Sequence, residues 1–177
     1  MSIIVCPLSR VPEVARDRKP SHVVSLLDPG TPFPALAGYG ADRHFCLEIH
    51  DIEMEMDGYD ALCGERMRRI LDFVGGWGRD EPILIHCYAG ISRSTATAFI
   101  TACAHNPEFD EEEIALALRA ASPSASPNRR FIALADAELG RGGRMMRAIE
   151  KIGRGASWLD IGEATPFMLK SKFGAVL

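Results

Sequence analysis

"HCYAGISRST", residues 86–95, decides how the rest of the chain is read. The apolar run Pro82-Ile83-Leu84-Ile85 leads into it, and Thr95-Ala96-Thr97-Ala98-Phe99-Ile100 leads out. The first run has the unbroken apolarity of a central parallel strand, and the second reads as helix. A loop between strand and helix turns backbone N–H groups inward and stands at the positive end of the helix dipole. That combination cradles a tetrahedral anion. Gly90 would permit a conformation or close approach that a β-carbon obstructs. Arg93 can offer two parallel N–H donors to two oxygens of one phosphate. The expected phosphate-binding set is therefore Tyr88, Ala89, Gly90, Ile91, Ser92 and Arg93.

Cys87 stands at the floor of this cradle. Helix N-termini and nearby cations favour the thiolate form of a cysteine, so the field that binds the anion would also make Cys87 a nucleophile. Ser94 could give that thiolate a hydroxyl hydrogen bond and help it leave later, and His86 could fix the loop. A lone Cys-x5-Arg fits an ordinary buried cysteine equally well. His86, Gly90 and Ser94, all at useful positions in a strand–loop–helix context, favour chemistry.

Outward from this loop, strands are expected at Ser2–Cys6, His22–Leu27, His44–Ile49 and Pro82–Cys87. Helices are expected over Val11–Lys19, across Met67, Ile70, Leu71, Val74 and Trp77, from Ser92 to Ala104, from a cap at Asp110 to Ala120, over Asn128–Leu139 and over Gly143–Ile152. Strands come early and alternate with helices, which predicts an α/β domain with a central, mainly parallel sheet of about four to five strands flanked by helices. The chain of 177 residues fits one domain, residues 1–177, with a tail over 156–177 whose packing the pattern does not decide.

Net charge is −4, so the overall field does not favour nucleic acid, and an anion site must be local. No apolar run approaches the ~20 residues that span a bilayer, and Ile3-Ile4-Val5-Cys6 is short for a secretory signal core. Five cysteines without tight spacing argue against a disulfide framework or a structural zinc site. A cytoplasmic protein with no membrane or nucleic-acid partner is expected.

"HCYAGISRS" resembles the His-Cys-x-x-Gly-x-x-Arg-Ser/Thr signature of cysteine-dependent protein tyrosine phosphatases. The short chain looks more like their compact dual-specificity members than the larger tyrosine-specific domains. The resemblance covers residues 20–140 and includes "SPNRRFIALADAEL", similar to the Pro-Asn-x-x-Phe helix that follows the signature. It implies a phosphotyrosine phosphatase-like fold, a phosphocysteine intermediate, and neither metal nor cofactor. It also implies an aspartate general acid, thirty to forty residues before the cysteine, on a loop after a strand. Asp51, Asp57 and Asp60 are the candidates, and Asp51 is favoured because it directly follows the "HFCLEIH" strand stretch, residues 44–50. The Trp-Pro-Asp triplet of the larger relatives is absent; "HDI" stands in its place.

His22, His44, His50 and His105 lack ligand-like spacing and read as packing or surface residues, with His50 a lesser candidate for orienting the acid. Cys46 or Cys63 could shield an oxidised Cys87 as a disulfide, as in some members of the resembled family, although ordinary packing is favoured. Arg141, Arg144, Arg147, Lys151 and Arg154 read as the solvated side of an amphipathic helix or, more sharply, as a surface for an acidic partner. The expected activity is a metal-independent phosphomonoesterase on phosphorylated protein or a small phosphomonoester. Tyr88, Ala89, Ile91 and Ser92 carry no positive charge, whereas members of the resembled family that act on inositol lipids tend to place lysines there; the resemblance therefore implies a protein phosphotyrosine substrate and leaves phosphoserine and phosphothreonine open. A catalytically silent phospho-binding module and a sulfur- or arsenate-handling enzyme are the alternatives.

Overall fold

In the computed structural model, which describes residues 1–156 and 158–174, the apolar run ending at Cys87 forms the middle of a five-stranded sheet. In chain order the elements are β1 (Ser2–Pro7), a 3-10 turn (Leu8–Arg10), α1 (Val11–Arg18), β2 (His22–Leu27), β3 (His44–Glu48), α2 (Gly64–Gly75), β4 (Ile83–Cys87), α3 (Arg93–His105), α4 (Glu111–Ala121), α5 (Arg129–Glu138), α6 (Arg144–Ile152), a short α7 (Trp158–Ile161) and β5 (Phe167–Lys170). The sheet order is β3-β2-β4-β1-β5. All pairings are parallel except that of β5 with β1, which is antiparallel.

β4 is covered on both faces and all its residues are buried, which is why its sequence is apolar without alternation. Side-chain alternation along β1 feeds two cores. Ile3 and Val5 join the large one beneath α2 to α6, with Trp77, Phe99 and Phe131; Ile4 and Cys6 join the small one beneath α1, with Val11, Val14, Val23 and Leu84. α3 is enclosed, with residues 93–103 buried. Its small residues, Ala96, Ala98, Ala102 and Cys103, let α2, α4 and α5 pack around it.

The ends of the later helices are fixed by acids and one asparagine. Asp110 Oδ1 accepts from Glu112 N (2.8 Å) at the start of α4, and Asn128 Oδ1 accepts from Arg130 N and Phe131 N at the start of α5. Asp136 reaches from α5 to accept from Gly143 N and Met145 N, placing a carboxylate at the positive end of α6.

Three members of the basic run near α6 pair with acids of α4. Arg141 is buried rather than solvated; it pairs with Glu111 (3.2 Å) and donates to the carbonyls of Pro107 and Cys103. Arg144 also pairs with Glu111, and Lys151 with Glu112. The acidic start of α4 thus engages Arg141, Arg144 and Lys151 of that run. No helix among the described residues is long and apolar enough to cross a membrane.

Part of the 156–177 tail packs on the sheet. β5 forms its edge, and Ser171 Oγ donates to Met1 O (2.9 Å). Ser157 and residues 175–177 lie outside the described residues.

Candidate active site

Cys87 ends β4, where residues 88–92 turn over it before α3 begins. The turn is shaped by what surrounds it. Tyr88 O accepts from Leu8 N (3.1 Å), Ala89 O from Ala164 N (2.8 Å), Ile91 O from Ser126 N (2.9 Å) and Ser92 O from Ala96 N (2.9 Å). Thr95 Oγ1 adds a bond to Ile91 O (2.5 Å). These carbonyls are taken up by neighbouring segments, while the N–H groups of residues 88–92 have no acceptor among the described residues. Unpaired donors over a helix N-terminus suit an oxyanion. Gly90 adopts φ +74°, and a β-carbon there would stand 2.9 Å from Pro7 N, so the turn requires glycine twice over.

Arg93 is 3% exposed and is positioned by groups distant in sequence. Nη1 donates to Ile49 O (2.6 Å) and to Asp28 Oδ1 (3.0 Å), with Nη2 3.5 Å from Asp28 Oδ2. Asp28 therefore engages the end of the guanidinium. Nε has no hydrogen-bond partner, and its nearest anion is Asp51 Oδ2 at 3.8 Å. The side edge of the fork, Nε with the outer Nη2 hydrogen, remains to meet two oxygens of a bound anion.

Asp51 lies on the rim. Its Oδ1 accepts from Ser92 Oγ (2.7 Å) and Asn128 Nδ2 (2.8 Å), which leaves Oδ2 as the oxygen able to carry a proton. Asn128 thus does two jobs at once, capping α5 with its oxygen and holding Asp51 with its nitrogen. A pocket of about 270 Å³ brings together Asp28, Asp51, Cys87, Tyr88, Ala89, Ile91, Ser92 and Arg93. Asp57 and Asp60 do not line it. The contacts of His50 are with other residues than Asp51: its Nδ1 accepts from Asp60 N (2.9 Å) and its ring meets Tyr59 edge-on.

Behind Cys87, the Ser94 hydroxyl lies 3.1 Å from Sγ. His86 is fully buried and shares the Ser25 hydroxyl with His44, at 2.5 Å and 2.8 Å from their Nε2 atoms. Burial pushes the His86 imidazole down to about 4, so it is neutral at physiological pH. One serine hydroxyl can donate to only one of the two rings, so their tautomers are coupled. His22 lies against Ser21 and Phe73, and His105 against Val74 O and Trp77. All five cysteines are free. Cys46 and Cys63 are exposed on β3 and before α2, and neither borders the pocket. Burial pushes the Cys6 thiol up to about 12, which makes it inert. Among the described residues, no group of three or more His, Cys, Asp or Glu side chains could hold a metal ion.

Two participants escape the sequence reading, Asp28 behind Arg93 and Asn128 behind Asp51. "DPG" at 28–30 reads as a loop, and its aspartate meets Arg93 only because β2 and β4 are neighbours. The "SPN" before α5 carries a cap signal, but nothing local tells that its amide reaches Asp51.

Comparison with solved structures places this architecture. The chain superposes on the Cydia pomonella PTP-2 phosphatase with a TM-score of 0.55 at 18% identity, covering 75% of this chain and 83% of that one. It superposes on DUSP15 with a TM-score of 0.56 at 17% identity, covering 84% and 88%. No protein-family profile matches the sequence, and no curated protein matches it significantly. The chain has the fold of the protein tyrosine and dual-specificity phosphatases.

Proposed function

We propose that this protein is a phosphomonoesterase that works through a phosphocysteine on Cys87, without a metal or cofactor, and acts on phosphotyrosine with phosphoserine and phosphothreonine as further candidates. The observation that carries the reading is the meeting, in one small pocket, of Cys87, the Arg93 side edge and the carboxylate of Asp51. In this mechanism Sγ attacks phosphorus while the N–H groups of residues 88–93 and the Arg93 fork hold the equatorial oxygens. Those donors are fixed before the reaction, so they favour the trigonal-bipyramidal transition state. The bond from phosphorus to the leaving oxygen breaks, and Asp51 delivers a proton from Oδ2 to that oxygen. Water then attacks the phosphocysteine, giving its proton to Asp51, and the Ser94 hydroxyl 3.1 Å from Sγ stabilises the departing thiolate. His86 positions Cys87 from behind as a neutral group.

The test is rapid acid quenching with a phosphate-labelled substrate. Asp51→Ala should slow formation and breakdown of the phosphoenzyme, Asp57→Ala should leave both near wild type, and Cys87→Ser should give no phosphoenzyme. Label retained on Cys87→Ser would overturn the reading.

A further inference from the structure

Two segments from opposite ends of the chain aim the turn over Cys87. Leu8 N donates to Tyr88 O (3.1 Å) and Ala164 N to Ala89 O (2.8 Å). In a planar trans peptide the C=O and the following N–H point opposite ways. Leu8 therefore directs the Ala89 N–H away from itself, and Ala164 does the same for the Gly90 N–H. Both are among the donors of the turn that have no acceptor among the described residues. Pro7 closes the seat from below, where a β-carbon on Gly90 would stand 2.9 Å from its N.

The two segments are also joined to each other. The Ser9 hydroxyl donates to the Glu163 carboxylate, 3.0 Å from Oε1 and 2.8 Å from Oε2. Ser9 directly follows Leu8, and Glu163 directly precedes Ala164. Ser9 is the hydrogen-bond partner of the Glu163 side chain among the described residues, and the neighbouring Arg10 is engaged by Glu13 (2.9 Å). Just past Ala164, β5 pairs with β1, Phe167 opposite Val5, which anchors the segment on its far side. Ala164 is buried at 4% exposure, whereas Ser9 and Glu163 are exposed.

We propose that Ser9 and Glu163 are positioning residues for the phosphate turn: their contact braces the two segments that aim the N–H groups of Ala89 and Gly90, so that breaking it weakens oxyanion binding while the chain stays folded. The inference rests on the phosphatase reading above and adds to it a brace from the C-terminal region. Neither side chain lines the phosphate pocket, so their effect on an anion passes through the backbone. Donors held in place before an oxyanion arrives bind it without reorganising, and a turn free to rotate its peptides loses that advantage.

The test reads vanadate affinity at equilibrium by calorimetry, together with hydrogen exchange of the Ala164 amide and the urea midpoint. Ser9→Ala and Glu163→Ala should each weaken vanadate binding about fivefold, the size of one net hydrogen bond, and speed Ala164 exchange by a similar factor. The double variant should lose no more than either single one, because both substitutions remove the same contact. Ser9→Thr, which keeps the hydroxyl, should stay within about twofold of wild type, and the urea midpoint should hardly move, as for other exposed contacts. Unchanged vanadate affinity in Glu163→Ala would overturn the proposal. So would losses that add in the double variant, or weaker vanadate binding with Ala164 exchange unchanged. Failure of the phosphatase reading would appear separately, as a wild-type protein that binds vanadate but does not hydrolyse p-nitrophenyl phosphate.

Discussion

Replacing Asn128 separates the stability of α5 from the placement of the acid. Its Oδ1 accepts from Arg130 N (3.0 Å) and Phe131 N (3.2 Å), and its Nδ2 donates to Asp51 Oδ1 (2.8 Å). Asn128→Ala removes both functions. Loss of an N-cap costs about 1 kcal/mol of stability. In the acid form that delivers the proton, loss of one neutral hydrogen bond costs roughly 0.5–1.5 kcal/mol. Asp51 is 34% exposed and keeps its bond from Ser92, so a figure of about 1 kcal/mol is appropriate, or about 5-fold in rate. Asn128→Ser restores a capping oxygen but has no donor long enough to reach Asp51. Thermal unfolding and kcat would be measured for both variants, on phenyl phosphate and on p-nitrophenyl phosphate. Phenyl phosphate, whose leaving group needs the proton more, should suffer the larger loss. Asn128→Ser should recover most of the stability and little of the phenyl phosphate rate. Recovery of both together, or equal loss on the two substrates, would refute Asn128 as a positioning residue for Asp51.

Further outcomes follow from the fold around the site. Gly90→Ala forces a side chain into φ +74° against Pro7 N, so it should cost at least about 1–2 kcal/mol in urea unfolding and weaken vanadate inhibition at least tenfold. Arg141→Ala breaks a pair whose members are 6% and 4% exposed, and should destabilise by about 3 kcal/mol in urea unfolding while leaving the KM for p-nitrophenyl phosphate unchanged. His86 has an ordinary value of 6.5 and is held at about 4 in the folded chain, so on acidification the unfolded state takes up the proton first. Its contribution is complete above pH 6.5 and is lost as pH falls toward 4, by up to about 3 kcal/mol. Burial also lowers His22, His44 and His105, so their effects have the same sign, and His86→Gln should flatten only part of the slope in urea unfolding between pH 7 and pH 4.5.

The parts of this protein that were legible in its sequence are those whose cause is local. β4 announces itself because burial on both faces demands an unbroken apolar run, and the turn after it because Gly90 and the start of α3 at Arg93 follow Cys87 at fixed spacing. β5 does not: it has four residues, and it is a strand because β1 offers an edge some 160 residues earlier in the chain. Asp28 and Asn128 are illegible for the same reason, since each acts on a residue brought near by the sheet and helix packing. Arg141 shows the limit of reading a helical face from charge. It precedes α6, and the turn through Gly140 carries it inward to Glu111. The acidic run at 111–113 and the basic run at 141–154 contain the signal, but only as a complementarity between two segments whose contact the fold decides.

The central claim is that Cys87 is the nucleophile of a metal-free phosphate-ester hydrolysis. Its most direct test is the rate of p-nitrophenyl phosphate hydrolysis by pure, reduced protein in EDTA, wild type against Cys87→Ser. The account predicts turnover by the wild type and none by the variant, with the variant still binding vanadate. A Cys87→Ser protein that keeps its rate, or a wild type with none, would contradict it.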